Sequence, residues 1–311
     1  MGQKNQFPAG RKLGRVLVTG AGGFLGAAVV SALRTRGVDV VATDVGSVVC
    51  QRSDIMQCEV TNSEQVDLVV RQGEFDTILH CGAVSGPMVM PERPLDIWKI
   101  NAGGTASVLE AARRHRVGRV IICSTSEVYG ELSGSVDEAS QLATHTIYGA
   151  SKVAGEQAML GYVKEHGVDA VALRLSWIYG PGRQTPTTLE KLARAAHSDH
   201  RFELLTPANA YTHYLHITDA VDGLLRAAEA KAPRSKILNI TAGPAIEMSD
   251  VAEIVMQIQP GIAVTCAPST QSGRGISELR NQRAFEEIGF APKISLESGL
   301  KQLFQHFLSV K

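Results

Sequence analysis

Net charge is missing from this chain, because 31 lysines and arginines balance 31 aspartates and glutamates over 311 residues. No global field therefore draws it to nucleic acid or to anionic lipid. Long apolar runs are missing too. No stretch approaches the roughly 18 residues that span a bilayer. The first 14 residues are polar and basic with no apolar segment of a secretion signal, so they read as a loose arm and the expectation is a cytoplasmic protein. Cysteine is sparse: Cys50, Cys58, Cys81, Cys123 and Cys266 are odd in number, form no CxxC pair and mostly sit in apolar runs. That pattern predicts buried reduced thiols. His197 with His200, and His213 with His216, have i,i+3 spacing, but no cysteine or carboxylate cluster accompanies them, which argues against a metal site. No internal repeat or low-complexity tract is apparent.

What is present is organised around residues 16 to 44. The apolar run Val16, Leu17, Val18 suits a strand buried on both faces. A glycine-punctuated turn follows. Gly20 lets the chain leave the strand, Gly23 removes the side chain that would hold a pyrophosphate away from backbone N–H groups, and Gly26 lets the next helix lie close to the sheet. That helix directs its unsatisfied N–H groups and the positive end of its dipole at the phosphates. Gly37 marks a turn, and Val38, Val40 and Val41 begin a second strand ending at Asp44, where a carboxylate can hold the adenosine ribose hydroxyls. A 2′-phosphate would face that negative charge, so NAD is the expected cofactor.

Apolar runs at Phe75 to His80, Val120 to Cys123 and Ala170 to Leu175 alternate with helical patterns from Ser63, from Asn101 to Arg116 and from Tyr148 to His166. Thr61 and Glu64 have capping-box spacing. Strand and helix alternation predicts an α/β fold, a Rossmann-type doubly wound parallel sheet with ligands outside the strands' carboxyl ends. Ser85 belongs to a small-residue loop at one such end and admits a ligand. After Tyr179 the pattern breaks at Gly180, Pro181, Gly182, Pro186 and Pro207. The expected division is a flexible arm (1–14), an NAD-binding domain (15–180, with 213–243 returning to it) and a smaller C-terminal α/β substrate lobe (181–212 and 244–311).

Tyr148 and Lys152 are spaced i,i+4 at a helix start and present their side chains on one face. A phenol with a pKa of about 10 is a poor base at neutral pH, but a nearby ammonium and the helix N-terminus favour the phenolate. It can then take a proton from an alcohol while hydride leaves for the nicotinamide.

Taken together, Thr19-Gly20-Ala21-Gly22-Gly23-Phe24-Leu25-Gly26, Asp44, His80-Cys81-Gly82-Ala83, Asn101 with Gly104-Thr105, Ser124 to Gly130, Tyr148 with Lys152, and Arg174 to Pro181 resemble an extended short-chain dehydrogenase/reductase of the NAD-dependent epimerase/dehydratase family. The resemblance covers nearly the whole chain. It implies cofactor contacts at Gly20, Gly23, Phe24, Leu25, Gly26 and Asp44, adenine contacts at Glu59 and Val60, and nicotinamide-side contacts at Cys81, Gly82 and Ala83. Tyr148 and Lys152 would also touch the cofactor, and Asn101 would anchor the strand and helix of the site. Thr125 stands where the family's catalytic hydroxyl sits. It further implies a homodimer paired through the helices of residues 101–116 and 148–166.

Glu127 lies two residues beyond Thr125, as in nucleotide-sugar decarboxylases, and is a candidate second acid/base. Ser126 stands where 4,6-dehydratases carry an acid, which argues against dehydration. Trp177 and Thr212 stand where relatives that hold a nucleotide diphosphate usually carry Asn and Arg, and diphosphate recognition relies on donors and positive charge. Arg274, Arg280 and Arg283 from the C-terminal lobe, and Arg183 or Lys191 from the earlier stretch, are candidates to compensate. Ser85, Ser126, Trp177, Arg183 and Arg274 form the expected substrate contacts. The expected function is NAD-dependent oxidation of a secondary hydroxyl on a small carbohydrate-type substrate: a sugar, sugar acid or similar polyol. The alternative is a nucleotide-sugar epimerase or decarboxylase that retains NAD. A protein that keeps the fold without turnover is disfavoured by the intact Thr125, Tyr148 and Lys152 set.

Overall fold

A computed structural model describes residues 10–49, 52–183, 185–198, 201–270 and 275–309. Seven parallel strands form the central sheet: β1 (Val16–Thr19), β2 (Val40–Asp44), β3 (Met56–Gln57), β4 (Thr77–His80), β5 (Arg119–Thr125), β6 (Ala170–Leu175) and β7 (Ile237–Ile240). Their order across the sheet is 3-2-1-4-5-6-7. Direction of travel reverses between β1 and β4, and such a reversal opens a crevice at the carboxyl ends of the strands. Register places those ends level, with Thr19 beside both Thr43 and His80, and Thr125 beside Leu175.

Alternation along the strands builds two cores. Val16, Val18, Ile121, Cys123 and Leu173 face helix α1 (Phe24–Thr35) and the helix Ile217–Glu229, meeting Val29, Leu33 and Leu224. Leu17, Ile78, Val120 and Ala172 point the opposite way, toward Val66, Leu109 and Met159 on helices Ser63–Gly73, Gly104–Arg114 and Ile147–His166. Because both faces are covered, the middles of the strands are largely apolar.

A third core gathers Leu192, Leu204, Val251, Val255, Val264 and Leu303. Its helices are Thr188–Ser198, Met248–Ile258 and Leu296–Ser309, and its strands Arg201–Pro207 and Ala263–Ala267 pair in parallel. Two details differ from the expected division. Helix Gln282–Ile288 lies after residue 244, yet Ala284, Ile288 and Phe290 pack into the main core beside Ile240. Tyr179 and Tyr214, on the expected sheet-domain side, pack edge to face within the third core, joined by the parallel pair Trp177–Tyr179 and Tyr214–His216. Periodicity assigns a residue to an element and leaves open which core the element joins.

Smaller differences are local. Asn62, one residue beyond Thr61, is the cap of its helix, its side chain accepting from the Gln65 N–H at 3.1 Å. The pattern at Asn101 begins as a five-residue π-helical turn, Lys99–Gly103, before the α-helix at Gly104.

Candidate active site

The carboxyl ends of β1, β4, β5 and β6 open into a cavity of about 620 Å³. The glycine turn forms one wall. Gly20 has φ +66°, and a Cβ there would meet the Gly82 backbone at 2.6 Å. A Cβ on Gly26 would stand 2.0 Å from the Gly20 carbonyl oxygen, so only glycine lets α1 start this close to β1. Gly20, Gly23, Phe24, Leu25 and Gly26 line the cavity. No side chain caps α1 and its first turn holds no acidic residue, so its N-terminal N–H groups suit a pyrophosphate. Asp44, at the end of β2, accepts from the Gly22 N–H at 2.8 Å, which brings a carboxylate beside the turn. These residues fit a bound dinucleotide.

A buried chain of hydrogen bonds fixes the next wall. The Gly82 N–H donates to Thr19 Oγ1 (3.2 Å), and Thr19 lies 2.8 Å from His80 Nδ1. His80 Nε2 lies 3.2 Å from Thr105 Oγ1, which donates to the Asn101 carbonyl at 2.6 Å. The network requires the Nε2–H tautomer, with Nδ1 accepting from Thr19. Burial, and secondarily the Lys152 charge, push the His80 pKa down to about 3, so the ring is neutral. Asn101 accepts from the Val84 N–H at 2.8 Å and donates to Ser151 Oγ at 3.0 Å. It ties the loop after β4 to helix Ile147–His166.

Not every expected contact reaches the cavity. Cys81, Ala83, Ser85, Ser126, Trp177 and Arg183 line it. Asn101 is buried behind the wall, Gly82 is turned to Thr19, Val60 packs against Gly104, and Glu59 is exposed with its N–H on Gln65. Arg274 lies outside the described residues.

Thr125, Glu127, Tyr148 and Lys152 meet at the cavity's inner wall. β5 delivers Thr125 at its last residue, and Thr146 caps the helix that carries Tyr148, accepting from the Gly149 N–H at 2.9 Å. The Glu127 N–H donates to Thr125 Oγ1 at 3.2 Å, which leaves the Thr125 proton for the Tyr148 phenol it hydrogen-bonds. Lys152 is buried, its Nζ donating to the Cys123 carbonyl at 2.8 Å and standing 6.0 Å from the Tyr148 ring centre.

Burial of the phenol opposes the acidifying effect expected of Lys152 and the helix N-terminus. Burial pushes the Tyr148 pKa up to about 12, against the opposing Thr125 hydrogen bond and the Arg183 charge. Desolvation also lowers the Lys152 pKa. Burial raises Glu127 above an ordinary carboxylic acid.

One buried network is absent from the sequence-based expectations. Glu156, one helical turn beyond Lys152, accepts from Ser124 Oγ at 2.5 Å and from Arg174 Nε and Nη2 at 3.0 and 2.7 Å. Arg174 Nη1 donates to the Tyr129 hydroxyl at 3.0 Å, which donates to Asn239 at 2.7 Å. The four-residue spacing from Lys152 to Glu156 is a usable signal, but only β5 and β6 lying side by side reveals the partners.

The family model described as "NAD dependent epimerase/dehydratase family" matches residues 16–241. dTDP-glucose 4,6-dehydratase of Streptomyces niveus is 25% identical, over 94% of this chain and 92% of that protein. UDP-glucose 4-epimerase of Corynebacterium glutamicum is also 25% identical, over 90% and 91%. Among solved structures, UDP-glucose 4-epimerase of Thermus thermophilus in complex with NAD shares the fold with a TM-score of 0.79 at 24% identity, covering 96% of this chain and 100% of that one. Among the described residues no helix is long and apolar enough to cross a membrane, and no group of three or more His, Cys, Asp or Glu is placed to hold a metal ion.

Proposed function

The chain belongs to the NAD dependent epimerase/dehydratase family, with NAD as cofactor, and from that membership we propose that it oxidises a secondary hydroxyl of a sugar, sugar acid or similar polyol. The observation that carries this reading is the meeting of Thr125, Tyr148 and Lys152 on the wall of the cavity that the glycine turn also lines. When bound, NAD supplies the hydride acceptor and a positively charged ring. Tyr148 takes the substrate's hydroxyl proton. Thr125 donates to the phenol oxygen and stabilises the phenolate. Lys152 holds the end of β5 through the Cys123 carbonyl and places a cation near the phenol.

Also lining the cavity, Trp177 offers an apolar surface, and Arg183 offers a guanidinium over the Phe24 ring with Nη1 on the Ile178 carbonyl. Arg183 Nε finds no partner among the described residues. A half-buried, under-bonded cation favours an anionic ligand group. These side chains, with Ser85 and Ser126, form the proposed substrate contacts. The third core, around Leu192 and Leu303, forms the proposed substrate lobe. A homodimer paired through helices Gly104–Arg114 and Ile147–His166 completes the reading.

Glu127 favours a second reading, in which a nucleotide sugar is oxidised transiently and NAD is retained. Its carboxyl lines the cavity with Tyr148 and is raised by burial, which suits a second acid/base. Absorbance at 340 nm separates the two, with sugars, sugar acids and nucleotide sugars each mixed with the NAD-loaded protein. Net NADH formation from a sugar or sugar acid, lost in Tyr148→Phe with NAD binding intact, is the expected result. A flat trace across the panel together with Tyr148-dependent conversion of a nucleotide sugar would replace the first reading with the second.

A further inference from the structure

The cavity floor holds two sulfurs that the proposed chemistry does not use. Cys81 follows β4, Cys123 lies in β5, and the parallel register pairing His80 with Ile122 sets the two cysteines side by side. Their Sγ atoms are 3.7 Å apart and both residues line the cavity. Cys58 and Cys266 lie elsewhere, Cys58 in the second core and Cys266 beside Met248. We infer that Cys81 and Cys123 form a dithiol modification site, which a peroxide-class oxidant closes to an intramolecular disulfide when the cofactor cavity is empty.

A disulfide needs sulfurs about 2.05 Å apart. The remaining gap is within reach of side-chain rotation and a small shift of the chain at Cys81, which lies just beyond the end of β4. The two thiols share one hydrogen bond, and that contact with the nearby Lys152 cation lowers Cys123 despite burial while it raises Cys81. Attack begins at Cys123, whose own carbonyl holds the Lys152 ammonium close by. Its sulfur attacks one peroxide oxygen, the O–O bond breaks, and a sulfenic acid forms with release of water. The Cys81 sulfur then displaces the hydroxyl from that sulfur, releasing a second water. Two thiols lose two electrons in all, and one peroxide takes them.

Closure acts on the surrounding site through short connections. The Cys123 carbonyl holds Lys152, Thr125 is two residues on, and Gly82 hydrogen-bonds Thr19 immediately after Cys81. Drawing the two strand ends together shifts these anchors, so the oxidised protein should bind NAD more weakly. Bound NAD should in turn slow oxidation by covering the sulfurs.

The test treats the full chain with hydrogen peroxide, with and without NAD, and reads intact mass, peptide linkage and NAD affinity by calorimetry. Expected are a loss of about 2 Da for the two thiol hydrogens, a linked pair of peptides containing Cys81 and Cys123, at least a tenfold fall in NAD affinity restored by dithiothreitol, and slower oxidation with NAD present. Cys123→Ser and Cys81→Ser, each compared with its own untreated sample, should show neither the mass loss nor the fall. A linked pair involving any other cysteine would overturn the inference. So would sulfinic acid without linkage, or a disulfide that forms at the same rate with NAD bound and leaves affinity unchanged. None of these readouts depends on the substrate, so the inference and the proposed reaction fail separately.

Discussion

His80 is the clearest handle on how burial sets this protein's behaviour. Its ring is 3% exposed and bonded at both nitrogens to threonines, and desolvation holds its pKa near 3 against the usual 6.5. In the unfolded chain the same imidazole protonates below about pH 6.5. Between those values the unfolded state binds the extra proton and the native state does not, so stability falls as pH falls. From pH 7 to pH 4 the interval is about 2.5 pKa units, worth about 3 kcal/mol. His213 and His216 are also lowered by burial and contribute with the same sign, so the measurement must be a difference. His80→Asn keeps an oxygen to accept from Thr19 and removes the titration. Urea denaturation of both proteins at pH 7 and pH 4 gives the comparison. Wild type should lose about 3 kcal/mol more than the variant over that range. A constant penalty also applies to the variant, whose shorter side chain does not reach Thr105. If the two proteins lose stability in parallel, burial does not hold the imidazole neutral and the reasoning fails.

Two further substitutions probe the site from either side. Gly26→Ala puts a methyl 2.0 Å from the Gly20 carbonyl oxygen, so α1 must move off the sheet. Calorimetry should show NAD binding weakened by at least tenfold, with a stability loss of about 1–3 kcal/mol. Unchanged NAD affinity would mean that the turn does not hold the cofactor. Glu156→Gln leaves the Arg174 guanidinium, 2% exposed, without its carboxylate. Removing one partner of a buried ion pair costs about 3–5 kcal/mol. Chemical denaturation should show that loss, and the joint replacement Glu156→Met with Arg174→Met should recover most of it. Equal losses in the single and joint variants would refute the account.

The elements and their order are legible in the chain alone. Short apolar runs without polar alternation announce strands covered on both faces, and the Gly20, Gly23, Gly26 spacing with Asp44 announces the dinucleotide turn. Local chemistry suffices there, because a positive φ or an absent Cβ is required within a few residues of where it is written. The Tyr148 and Lys152 spacing is equally legible, since four residues along a helix fix their common face.

Electrostatics and long-range partners emerge only when the chain is folded. Spacing alone predicts an ammonium that makes the phenol acidic, whereas the folded chain turns Lys152 toward the Cys123 carbonyl and buries the phenol, so desolvation opposes that effect. Asn101 is legible as a site residue, but its place behind the wall depends on a loop and a helix, Val84 and Ser151, far apart in the chain. The same holds for Cys81 beside Cys123 and for Glu156 with Arg174. Each pair exists because parallel strands and the helix across them meet at one register, and no window of consecutive residues contains that information.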